Sequence, residues 1–162
     1  MERERFDSAA YRQEKYGDKK LEFLTPTEHK THLKLYKEII NKTIVDIYKR
    51  WGYDEYGISG IAIVGSFARG EAHKESDLDI ITLSERDQDA MVEVREHFVE
   101  KLKQNNLEIK VDNSFGHICL IEQREHGVPI NQLKEIALDG ELLIFTPYPH
   151  IKTSVKKLLQ NW

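Results

Sequence analysis

"IAIVGSFARGEAHKESDLDIITL", residues Ile61 to Leu83, sets two short apolar runs on either side of a polar loop. The first run, "IAIV", predicts a short buried strand ending at Gly65. Ser66 follows at once, and "SFARGEA" can open a helix whose backbone amides point outward. Such an end binds anions, phosphates above all. Gly65 has no side chain to keep a phosphate off the backbone, Ser66 adds a hydroxyl donor, and Arg69 adds a charged one. Two other motifs are excluded. A Walker loop needs Gly-Lys-Ser/Thr, whereas Gly70 is followed by Glu71, and a hydrolase elbow needs Gly-x-Ser-x-Gly, which Val64-Gly65-Ser66 does not supply.

The second run begins at "SDLDI", after a ten-residue spacer that separates Ser66 from Asp77. Strand side chains alternate between faces, so Asp77 and Asp79 share one face while Leu78 and Ile80 share the other. Two like charges on one strand face repel and resist desolvation unless a cation lies between them. Magnesium suits this, because it is held by one or two carboxylates together with substrate phosphates and keeps several waters. A triphosphate on the Gly65-Ser66 turn would put its oxygens beside that ion, the arrangement in-line phosphoryl chemistry requires.

Outward from this stretch, helices and strands alternate. Thr25, Pro26 and Glu28 form a capping signal that opens a helix, and Leu33, Tyr36, Ile40, Ile44, Ile47 and Trp51 recur at helical spacing as its core stripe. "GYDEYGISG" breaks the chain before "IAIV". Ser84 with Asp87 predicts a second helix start, with Met91, Val94, Phe98 and Leu102 on its apolar stripe to about Asn105. "LEIKVD", residues 107–112, alternates apolar and polar as a strand with one buried face. "HICLIE" predicts a further strand, "INQLKEIALDG" a short helix, "ELLIF" a last strand, and "HIKTSVKKLLQNW" a C-terminal helix. The fold class is α/β (α+β), a mixed sheet packed against helices. The domain boundaries are a charged lead-in over 1–24, read as irregular, and a single domain over 25–162.

The motif of Gly-Ser, a ten-residue spacer and Asp-x-Asp resembles the nucleotidyltransferase superfamily to which DNA polymerase beta belongs. "GSFARGEAHKESDLDI" is most similar to its small prokaryotic branch, the minimal nucleotidyltransferases, and "INQLKEIALDGELLIF" is similar to the ending of those small members. The resemblance implies the nucleotidyltransferase fold and a Mg2+-dependent enzyme that moves a nucleoside monophosphate, AMP from ATP, onto a hydroxyl and releases pyrophosphate. It implies that Gly65 and Ser66 bind the phosphates, with Arg69 beside them, and that Asp77 and Asp79 hold magnesium. It further implies a third carboxylate on a later strand, which binds the catalytic metal and serves the acceptor hydroxyl. Asp112 matches that position, with Glu108 as the alternative on the same predicted strand face. The implied acceptors are a protein, such as a paired HEPN-type toxin, or a small-molecule alcohol. A non-catalytic nucleotide-binding antitoxin or regulatory module is the competing reading.

Composition narrows the rest. At 162 residues the chain suits one domain, and a net charge of −4 with interspersed signs disfavours a nucleic-acid partner gripped by its phosphates. Cys119 is the single cysteine, the charged start lacks the apolar core of a signal peptide, and no apolar run reaches a membrane span. A cytoplasmic protein is expected. His29, His32, His73 and Lys74 are read as surface residues, because no third ligand lies near the histidine pair.

Overall fold

The computed structural model describes residues 7–117 and 141–144. Within them α1 spans Ser8–Tyr16, α2 Pro26–Trp51, α3 Tyr53–Tyr56, β1 Ile58–Val64, α4 Gly65–Arg69, β2 Leu78–Ser84, α5 Asp89–Gln104, β3 Val111–His117 and β4 Glu141–Ile144. The strands form one mixed sheet in the order β3-β2-β1-β4. β1 runs antiparallel to both β2 and β4, while β2 and β3 run parallel with α5 as their crossover.

The capping box opens α2 as the sequence predicts: Glu28 N–H donates to Thr25 Oγ1 at 3.2 Å and Thr25 N–H donates to Glu28 Oε1 at 3.1 Å. Tyr36, Ile40, Ile44 and Ile47 are buried on the predicted stripe, joined by Ile39 and Thr43. Trp51, the last of that stripe, is instead 44% exposed at the helix end, where its indole N–H reaches Glu93. α2 and α5 cover one face of the sheet, and their buried residues meet Ile61, Ile63, Leu78, Ile80 and Val111 in one apolar core with Phe98 and Leu102. That face is sealed, which leaves the ends of β1, β2 and β3 on the other face to build a site.

Several boundaries differ from the sequence reading. β1 begins at Ile58, so "ISG" belongs to the strand and the preceding break is the short helix α3. Ser84 ends β2 rather than capping a helix; its hydroxyl donates to Tyr56 O at 2.6 Å, and α5 opens at Asp89. "LEIKVD" becomes strand only at Val111, because its partner β2 starts at Leu78, whose N–H meets Lys110 O at 2.8 Å. His29 is buried beside Phe67, with ring centroids 5.7 Å apart, and its Nε2 has no hydrogen-bond partner among the described residues. β4 falls within the predicted "ELLIF" strand. "HICLIE", "INQLKEIALDG", the C-terminal helix and Cys119 lie outside the described residues.

The charged lead-in, read as irregular, holds the helix α1. Asp7 caps it by accepting from Ala10 N–H at 3.0 Å, and Gly17 ends it. The segment after it is tied to the loop between α4 and β2. Leu24 N–H donates to Ala72 O at 3.0 Å, Lys74 N–H donates to Glu22 O at 2.9 Å, and Phe23 pairs with His73 as an isolated bridge.

Candidate active site

β1 delivers the chain to Gly65, which takes φ +72° and starts α4 with no side-chain cap. A left-handed φ is ordinary for glycine and costly for other residues. A Cβ here would strike Asp79 Oδ2 and lie 3.1 Å from Asp79 Cγ. Gly65 therefore does more than open the turn toward a ligand: its bare Cα makes room for a carboxylate.

That carboxylate belongs to a transverse row. Asp79 is the register partner of Val64 on β1 and of Asp112 on β3. Directly paired residues share a sheet face, so the end of β1, Asp79 and Asp112 look the same way. Asp112 lies inside β3, and Ser114, two residues on, lines the cleft with it. Glu108 precedes the strand, is exposed and does not line the cleft. Asp77 sits one residue before β2, at the rim; Lys15 Nζ and Lys110 Nζ approach its Oδ2 at 3.8 and 3.9 Å.

Gly65, Ser66, Arg69, Asp77, Asp79 and Asp112 all line one cleft of about 290 Å³. The structure thus brings these six residues together, while Glu108, the alternative to Asp112, lies outside the cleft. Arg69 enters as half of an ion pair, its Nε donating to Glu71 Oε2 at 3.1 Å. Glu71 also accepts from the Ser8 hydroxyl and faces Arg12 at 4.0 Å. The Ser8 hydrogen bond first, then Arg69 and Arg12, hold its carboxyl below the usual carboxylate range despite burial.

Sequence reasoning missed the opposite wall. Ser8, Tyr11, Arg12, Lys15 and Tyr16 of α1 line the cleft. Their spacing of three, four, seven and eight residues from Ser8 is a helical stripe, hidden from an apolar search because it is polar. Burial works against the charge of Lys15, but Tyr11, Tyr16 and Asp77 outweigh it and hold the ammonium above its ordinary value. His73, expected on the surface, is buried in this wall. Its ring meets Tyr16 edge-on at 4.8 Å, and its Nδ1 accepts from Glu75 N–H at 3.1 Å.

Among the described residues no three His, Cys, Asp or Glu side chains close into a ready-made metal cage. The donor set still fits magnesium, which takes one or two carboxylates and completes its shell with water and substrate phosphates. Asp79, seated against the Gly65 turn, offers such an oxygen to the cleft.

The profile of the nucleotidyltransferase domain matches residues 41–139, more than half of the chain. No curated protein matches the sequence. Among solved structures, the chain is similar to a crystal structure of a mutant toxin–antitoxin MntA–HpeT, at 18% identity and TM-score 0.46, covering 75% of this chain and 85% of that one. It is also similar to a crystal structure of the toxin–antitoxin with AMP-PNP, at 18% identity and TM-score 0.45, covering 74% of this chain and 84% of that one.

Proposed function

The chain belongs to the nucleotidyltransferase domain family, and we propose on that premise that its cleft moves AMP from ATP onto a hydroxyl with the help of Mg2+, releasing pyrophosphate. Gly65 and Ser66 would take the phosphate chain, and Asp77, Asp79 and Asp112 would supply the carboxylates for magnesium, which water and phosphate oxygens would complete. The bound ion supplies positive charge that neutralises the phosphate oxygens during in-line displacement. Arg69, steadied on Glu71, lends a cation to the same wall.

In the reaction the acceptor oxygen forms a bond to the α-phosphorus, and the bond from that phosphorus to the bridging oxygen of pyrophosphate breaks. Asp112 accepts the proton of the acceptor hydroxyl, and the electron pair of the broken bond leaves with pyrophosphate. The rest is positioning and charge neutralisation.

The observation that supports this reading best is the pairing of Asp79 with Asp112 in register beside the glycine turn. Two carboxylates in register beside a glycine turn favour a bound cation. The acceptor is a protein hydroxyl, as on a HEPN-type toxin, or a small-molecule alcohol. Incubation with ATP labelled at the α-phosphate, magnesium and cell lysate tests the reading: label should move to one acceptor and be lost when magnesium is chelated. Magnesium-dependent nucleotide binding with no transfer to any protein or small molecule would leave a nucleotide-binding module in its place.

A further inference from the structure

The segment matched by the family profile begins at residue 41, so α1 lies wholly outside it, yet α1 forms one wall of the cleft. Its inward stripe carries two cations, Arg12 and Lys15, three residues apart and therefore neighbours on one helix face. No residue of α1 is buried in an apolar core. The helix is held instead chiefly by the Ser8 hydroxyl on Glu71 and by the Tyr16 ring against His73.

Charge is what this wall contributes. Among the described residues lining the cleft, the family-matched segment supplies four carboxylates, Glu71, Asp77, Asp79 and Asp112, and only Arg69 as a cation, which is engaged on Glu71. A magnesium-bound triphosphate retains negative charge on its terminal phosphates, and α1 adds Arg12 and Lys15 to the cations that line the cleft. Resting on the reading proposed above, we infer that α1 is part of the nucleotide site and that Arg12 and Lys15 bind the triphosphate tail.

Lys15 is poised for this. Its ammonium stands 3.8 Å from Asp77 Oδ2, in a pair exposed enough to be weak. A divalent ion on Asp77 would repel that ammonium, and a phosphate chain bound in the same cleft would offer it another anion. Lys15 thus exchanges a carboxylate for a phosphate when the nucleotide binds. Arg12, at 4.0 Å from Glu71, presents a fork suited to two phosphate oxygens.

The test is calorimetric titration of the full chain with magnesium and α,β-methylene ATP, whose α–β bridge blocks transfer. Arg12→Ala and Lys15→Ala should each weaken binding roughly tenfold, the scale of one charged hydrogen bond. Lys15→Arg should restore most of the affinity, and the ligand-free melting temperatures should stay at the wild-type value, because neither side chain is in the core. Unchanged affinity in both alanine variants, or tighter binding in Lys15→Ala, would overturn the inference and leave the enzymatic reading standing. A loss of affinity that follows a lowered melting temperature and is not rescued by arginine would also overturn it, in favour of a scaffold role for α1. A wild-type chain that fails to bind the analogue with magnesium would remove the nucleotide reading itself, and this inference with it.

Discussion

Asp79 on β2 and Asp112 on β3 are direct register partners across a parallel pair, and a Cβ on Gly65 would collide with the carboxylate of Asp79. Acid pair and turn are thus one structural unit. A cation bound at this pair, as proposed, would stabilise the folded chain increasingly as its concentration rises.

Asp79→Asn and Asp112→Asn should therefore separate activity from stability. Each variant should lose transfer by about a hundredfold or more, as expected when several kcal/mol of charge stabilisation is removed. Urea unfolding of the ligand-free variants should separate this loss from any change in folding, with both variants remaining cooperatively folded. Full transfer in a folded Asp79→Asn protein would disprove its metal role.

Gly65→Ala should be far more damaging than Gly70→Ala. Both glycines adopt positive φ, +72° and +75°, so both substitutions incur left-handed strain of about 1–2 kcal/mol. A Cβ at Gly70 meets nothing within 4 Å, whereas one at Gly65 meets Asp79. Urea unfolding should show at least ~1 kcal/mol of additional loss at Gly65, from displacing that side chain. Equal losses would mean that Asp79 has room to move aside.

Ser66→Ala should weaken nucleotide binding by ~1 kcal/mol, about fivefold, with little effect on unfolding. Unchanged affinity would place the phosphates away from this hydroxyl.

His73 should give the stability profile a slope in mild acid. Burial chiefly, with Lys15 and Arg12 added, lowers its pKa, while Glu75 and Asp77 pull the other way without prevailing. Because its Nδ1 accepts from Glu75 N–H, protonation there would set a proton against a donor. A base whose folded pKa is depressed contributes fully above its unfolded pKa and progressively less below it, so stability should fall as pH drops below about 6.5. His73→Phe should flatten that part of a chemical-denaturation series; an unaltered slope would assign the effect to other groups.

How far these features could be read in advance depended on the kind of signal. Thr25, Pro26 and Glu28 announced α2 because capping is local chemistry, whereas strand alternation accounts for Asp79 but not for Asp77, which stands one residue before β2. Asp112 was harder, since the onset of β3 is set by where β2 begins, a tertiary fact that residues 107–112 do not contain. Ser84 looked like a helix cap until its hydroxyl was seen on Tyr56 O, a partner 28 residues away. The stripe of α1 was invisible for another reason: it faces a polar cleft, and periodicity searches follow apolar residues.

The clasp between residues 22–24 and 72–74 has a kinetic consequence. It fastens the connector that runs from the glycine turn to Asp77, so the span between those two ends is fixed by backbone hydrogen bonds. If this site takes the nucleotide as proposed, that connector is ordered in advance, and affinity differences among nucleotides should be expressed chiefly in how quickly each escapes.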